Sequence, residues 1–203
     1  MSSSTTPQVK SALVERRPLL LLAGAAGLCW ASAGGLLLGP ELAATPALFA
    51  PLRVIFYLLV LAAALLTFLP LQHSLRAPGL ALEGACGALL LGYTLAFVPP
   101  PNGPIYSLPE LPVYLIFLGS LFALVSAAAL PAVAMIGRRV FRRRARQYDL
   151  IRSCRQAHEV GAWAAALGVL AGLQILAPLS VLLVTIVIVL VEILFLAYVE
   201  VAA

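Results

Sequence analysis

The sequence predicts an all-α integral membrane protein: a bundle of six transmembrane helices with both termini in the cytoplasm. Three observations predict it. The first is composition. Of 203 residues, 63% are hydrophobic and only 10% are charged, whereas a soluble domain is nearer half apolar and a quarter charged. So few charges cannot cover the surface of a soluble protein of this length. A water-soluble globular domain, a disordered chain and a disulfide scaffold are therefore excluded. The second is block length. The apolar residues form continuous runs near the roughly 20 residues that cross a bilayer core of about 30 Å as a helix. They do not alternate, which argues against membrane β-strands. The third is the sorting of basic residues, which lie between the runs and almost all on one face.

The elements follow in order. Residues 1–17 open with Ser, Thr and Pro, show no apolar periodicity and read as a flexible cytoplasmic tail. The first span is Pro18–Leu38. Lys10, Arg16 and Arg17 before it, and Ala31-Ser32-Ala33 within it, also fit a cleavable signal peptide. The run to Leu38 is longer than a signal peptide needs and reads as a span. The second span is Pro51–Leu71, the third Gly79–Val98 and the fourth Leu111–Ile136. The block Val160–Val199 is too long for one helix and is expected to divide at Ala177-Pro178-Leu179-Ser180, because the residue before a proline resists the helical region. That gives a fifth span at Val160–Ala177 and a sixth at Leu179–Val199. The fifth is short, rich in Ala and Gly, and carries Gln174; a re-entrant hairpin is its alternative.

Six spans set the orientation. Lys10, Arg16, Arg17, Arg76, Arg138, Arg139, Arg142, Arg143, Arg144, Arg146, Arg152 and Arg155 share one face, and only Arg53 lies on the other. The positive-inside rule puts that face in the cytoplasm, so a multi-pass plasma-membrane protein is expected. The preference for arginine over lysine points to a GC-rich bacterial genome. The net charge of +5 is explained by topology and anionic lipid, without nucleic acid.

Two connecting segments stand out. The outer loop 99–112 holds Pro99, Pro100, Pro101, Pro104, Pro109 and Pro112. Proline fixes φ and donates no hydrogen bond, so this loop is expected to be a stiff connector. The cytoplasmic segment Gly137–Glu159 is the largest hydrophilic element. Helical extensions of the fourth and fifth spans are expected there, with Arg138, Arg139, Arg142, Arg143, Arg144 and Arg146 as candidates for binding anionic headgroups or a partner.

Small residues recur at spacings of four. They are Ala23, Gly27, Ala31 and Gly35 in the first span, and Gly84, Ala88, Gly92 and Ala96 in the third. Gly119, Ala123 and Ala127 follow in the fourth, and Ala164, Gly168 and Gly172 in the fifth. Such a spacing keeps them on one helix face. Small faces let backbones approach closely where lipid supplies no hydrophobic drive for association. They serve a compact bundle, with one stripe available to another subunit or a second copy. The sixth span is dominated by Val, Ile and Leu and reads as peripheral.

Ionisable groups inside a membrane are costly and therefore candidates for function. Glu83 in the third span and Glu192 in the sixth lie toward the same leaflet, and as a pair they would suit a proton or a cation. The alternative is that each pairs with an arginine of 137–159, or is protonated and hydrogen-bonded to backbone. Arg53 is expected to snorkel or to pair with Glu41, and Gln174 to bond between helices. His73 and His158 lack neighbouring ligands in sequence, and Cys29, Cys86 and Cys154 are far apart, so no metal or cofactor is expected. No nucleotide loop, HExxH or GxSxG motif is present. The expectation is a non-enzymatic interaction or accessory subunit. The alternative is a small transporter or channel using Glu83 and Glu192.

Overall fold

The computed structural model describes residues 6–40, 42, 49–99, 101, 105, 110–140 and 150–202, with side chains from residue 20 onward except at 140, 196 and 199–202. Every regular element among them is an α-helix. In chain order these are α1 (Thr6–Leu38), α2 (Pro51–Leu75), α3 (Leu80–Phe97), α4 (Leu111–Val140), α5 (Leu150–Gly172) and α6 (Pro178–Ala202). Five contain a stretch long and apolar enough to cross a membrane: Leu20–Leu38, Pro51–Leu75, Leu80–Phe97, Leu111–Arg139 and Pro178–Phe195. The described residues are thus an all-helical assembly in which five of six helices could cross a membrane, and α5 is the less apolar one.

Two differences from the sequence reading concern helix ends. The first helix begins at Thr6 and takes in much of the segment read as a tail. Pro7 falls in its first turn, where a missing N–H costs nothing, and residues 8–17 contain no glycine to interrupt it. The second difference is the break expected at Ala177–Ser180. In the structure α5 ends at Gly172, residues 173–177 form the turn, and Pro178 is the first residue of α6. Proline marks the start of the next helix, where its fixed φ is pre-organised. The turn is closed by Gln174, which adopts φ 60°. Its N–H donates to Ala171 O (3.0 Å) and that of Ile175 donates to Leu170 O (3.0 Å). These are the two bonds of a Schellman cap, built without glycine. Gln174, expected to bond between helices, caps a helix through its backbone.

The chain divides into two compact units, residues 1–81 and 82–203. In the first, α1 packs on α2. Ala26 and Ala33 of α1 are buried, as are Phe56, Val60, Ala63, Ala64 and Phe68 of α2. Trp30 Nε1 donates to Thr67 Oγ1 across the pair (3.2 Å), and Thr67 in turn donates to Ala63 O (2.7 Å). The indole and the hydroxyl are therefore both satisfied in apolar surroundings. α2 ends on Arg76, which adopts φ 55°, and Gln72 Oε1 accepts from the N–H of Ala81 at the start of α3 (2.9 Å). That bond satisfies one of the N–H groups a helix start leaves open.

In the second unit α3, α4, α5 and α6 form a run of antiparallel neighbours, and glycines set the spacing. A Cβ added at Gly87 of α3 would sit 2.6 Å from Leu124 N of α4. One at Gly161 of α5 would overlap Ser126 Oγ of α4 and lie 2.8 Å from Phe122 O. At Gly168 it would meet Leu118 Cδ2 at 2.7 Å, and at Gly172 it would meet Tyr114 Cε1 at 3.0 Å. At the other end, Arg152 Nη2 lies 3.0 Å from the Cβ position of Gly137. Thus α5 follows α4 from Tyr114 to Gly137, its chain running the opposite way.

Candidate functional site

The polar groups of the second unit gather along α5, which meets α3 through His158 and α6 through Arg155 and Gln156. Four residues of the amphipathic α5 supply the contacts: Arg155, Gln156, His158 and Glu159. A helix puts positions i, i+3 and i+4 on one side, so Arg155, His158 and Glu159 project together.

Glu192 of α6 is the centre of the larger cluster. Arg155 Nη2 lies 2.8 Å from both of its carboxylate oxygens, and Gln156 Nε2 donates to Oε1 at 2.8 Å. The guanidinium is also seated on the Phe195 ring, with Cζ 3.8 Å from the centroid, a cation–π contact that strengthens with desolvation. Glu159 is the third member. Its Oε1 lies 3.5 Å from Arg155 Nε. That last distance is an ion pair without a hydrogen bond, and Arg155 Nε is buried with no hydrogen-bond acceptor.

The second, smaller cluster holds Glu83. His158 Nε2 lies 3.5 Å from Glu83 Oε1, and His158 Nδ1 lies 2.7 Å from Cys154 O. A carbonyl only accepts, so Nδ1 carries a proton. Nε2 can then donate toward the carboxylate only when the ring is an imidazolium. The Cys154 thiol beside it is held up from its usual range by burial and then by the Glu83 charge.

No family profile, curated protein or solved structure matches the chain. Its chemistry therefore rests on its own geometry.

Glu83 and Glu192, singled out in the sequence, both face α5 but meet different residues. For Glu192 the geometry corresponds to the alternative reading, pairing with an arginine of 137–159. Glu83 meets a histidine of the same segment. The residues sequence reasoning missed are Glu159 and Gln156. Glu159 was placed as the end of a hydrophilic loop, yet its side chain is 23% exposed. The signal that could have found it is its spacing of four from Arg155, which stacks the two on one helix face.

The other candidates are less well placed. Arg138 and Arg139 occupy the last turn of α4, where cations favour the helix dipole. Arg142, Arg143, Arg144 and Arg146 lie outside the described residues, as does Glu41, the expected partner of Arg53. Arg53 itself is 8% exposed, so it is packed inward, where snorkelling had been expected. Among the described residues no group of three His, Cys, Asp or Glu is arranged to hold a metal ion.

Proposed function

We propose that this chain is a non-enzymatic, multi-pass plasma-membrane protein that works by association: the α1 stripe meets a second copy or another membrane helix, and the arginine segment meets anionic headgroups. The observation that carries this reading is the α1 stripe. Ala23, Gly27, Ala31 and Gly35 are all exposed. No atom of the first unit comes within 4 Å of a Cβ placed at Gly24, Gly27, Gly34 or Gly35. In lipid such a face gains from close backbone contact with another helix. The deciding experiment is cross-linking of an Ala31→Cys variant in native membranes. An inter-chain adduct that Gly27→Leu removes supports the reading. Cross-links confined to one chain, with no co-purifying partner, overturn it.

Six spans with both termini inside belong to the same proposal. The support is the register of α5 on α4. A helix that follows a spanning neighbour from end to end crosses with it, even though its own hydropathy is lower. Reporter fusions at 105 and 175 should then lie on one side, and fusions at 147 and the C-terminus on the other. A fusion at 175 on the side of 147 would remove the fifth span. For the arginine segment, neutralising Arg142, Arg143, Arg144 and Arg146 together should reduce retention of anionic lipid. Each cation near such a leaflet is worth about 1 kcal/mol. Unchanged retention would remove lipid from the proposal.

A second reading, a small transporter or channel, has one observation in its favour. Two carboxylates, Glu192 of α6 and Glu159 of α5, are held by the one guanidinium of Arg155, and Glu192 is 16% exposed.

A further inference from the structure

A cleft of about 380 Å³ lies among α4, α5 and α6, with Val133 and Ile136, Val160 and Trp163, and Ile188 and Val189 on its three walls. That volume falls within the roughly 300–1,000 Å³ of small-molecule sites. Its polar groups are already engaged. Trp163 Nε1 donates to Thr185 Oγ1 (3.0 Å), and Thr185 donates to Val181 O (2.8 Å). Gln156 donates its amide to Glu192 (2.8 Å), and Glu159 is turned to Arg155 (3.5 Å). The wall that remains is aliphatic, and Ile136, Val160 and Val189 are exposed on it. Both α4 and α6 contain a stretch long and apolar enough to cross a membrane, so in a bilayer the medium that reaches this cleft is hydrocarbon. Left empty, its walls would forfeit dispersion contacts.

The end of the cleft at Gly137 decides which lipid it suits. The stripe of α4 that lines the cleft, Val133 and Ile136, continues three residues on to Arg139. The stripe of α5, Val160 and Gln156, continues four residues back to Arg152. Arg152 Nη2 comes to 3.0 Å from the Cβ position of Gly137, itself a lining residue. Arg139 is exposed on the last turn of α4. Both faces therefore run out into a guanidinium, the group that takes phosphate in a bidentate grip. The acids nearby do not cancel this. Glu159 is seven residues beyond Arg152, about 10 Å further along α5, and Arg155 holds both Glu159 and Glu192. Arg138 shares the last turn of α4, and His158 is turned to Glu83 of α3. Residues 141–149, outside the described residues, carry four arginines against one aspartate, so in sequence they too are cationic.

We propose that this cleft seats one acyl chain of an anionic phospholipid, with the lipid phosphate at Arg139 and Arg152 and the chain running along α5 toward Trp163. The inference rests on the reading above that the arginine segment meets anionic headgroups, and it adds one defined lipid position among the helices. Moving a chain from bilayer to cleft brings no hydrophobic gain. The headgroup therefore supplies the selection and the cleft supplies the position. Trp163 is eleven residues from Arg152, about 16 Å along α5, which sets the indole beside the middle of such a chain.

The test uses the full chain in phosphatidylcholine nanodiscs that hold a minority of phosphatidylglycerol. Bromine at mid-chain quenches a tryptophan it touches. The chain has two tryptophans, so Trp30→Phe leaves Trp163 as the sole reporter. Brominated phosphatidylglycerol should quench Trp163 more than the same fraction of brominated phosphatidylcholine. Arg139→Gln should lower that preference about fivefold, the effect of one cation near an anionic leaflet, and Arg139→Gln with Arg152→Gln should lower it further. Val189→Phe, which fills the cleft, should remove the excess quenching while phosphatidylglycerol still co-purifies. On the wild-type chain, native mass spectrometry should show one phosphatidylglycerol retained after phosphatidylcholine is stripped, a result that depends on no variant folding. Retention of phosphatidylglycerol without excess quenching of Trp163 would overturn the cleft and leave the headgroup reading standing. Equal retention of the two lipids would overturn both. Excess quenching that survives both Val189→Phe and the double arginine variant would be ordinary lipid contact and would also overturn the proposal.

Discussion

Two regions of this molecule carry the same sequence pattern and meet different fates. In α1 the small residues at spacings of four look outward, and no atom of their own unit approaches Gly27 or Gly35 within 4 Å. Where α3 and α5 face α4, the glycines are filled: Gly87, Gly161, Gly168 and Gly172 each face an atom within 3.0 Å of where a Cβ would stand. The spacing alone gave no hint of this split. Gly87 and Gly161, the tightest of the four, are not members of the stripes read in sequence, whereas Gly119, which is a member, has nothing within 4 Å. A repeat of small residues therefore defines a face on which a backbone can approach, and only the fold says whether one does.

The largest effect should come from the filled face. Gly161→Leu cannot be accommodated, since even a methyl group would overlap Ser126 Oγ and crowd the backbone oxygen of Phe122; loss of folded protein in detergent is expected. Gly161→Ala should cost about 1–3 kcal/mol, the usual penalty for overpacking, read as a lower midpoint in thermal unfolding. Gly27→Ala should leave that midpoint unchanged and alter only association. Equal destabilisation at both sites would break the contrast between the two regions.

Next is the Arg155 cluster. Arg155→Met leaves two carboxyls with no cation, and removing one partner of a buried pair is strongly destabilising. The residues here are 16–26% exposed, so a partly screened loss of about 1–3 kcal/mol is expected. The combination Arg155→Met with Glu192→Met should recover much of it, because an apolar pair replaces the ion pair without leaving a charge behind. A double variant as unstable as the sum of the singles would show that the two residues do not act together.

Six spans were read in sequence, and five of the six described helices are long and apolar enough to cross a membrane, because long apolar runs are directly visible as hydropathy. α5 was the weak element for a physical reason: it packs along α4, so its smaller residues face a helix and its charged face meets α3 and α6. Its end was misjudged because the turn uses Gln174 in a left-handed conformation, where glycine would have announced it. At the site, the cost of an intramembrane carboxylate pointed to Glu192 and Glu83. It could not point to Glu159, which joins the Glu192 cluster through Arg155 only once α5 packs on α6.

The smallest expected effect concerns Cys154. Its thiol is held up by burial first and by the Glu83 charge second. The thiolate is the reacting form, so a raised pKa means less of it at any given pH below the titration. Alkylation by iodoacetamide at pH 8 should thus be slower than for a free thiol. Glu83→Gln removes the second cause and leaves the first, so the rate should rise by a modest factor, roughly two- to threefold. Cys86, which is exposed on α3, can be blocked beforehand by Cys86→Ala, and Cys29 by Cys29→Ala. If Glu83→Gln instead slowed the reaction, the Glu83 charge would be acting on the thiol with the opposite sign, and the placement of Glu83 beside α5 would have to be given up.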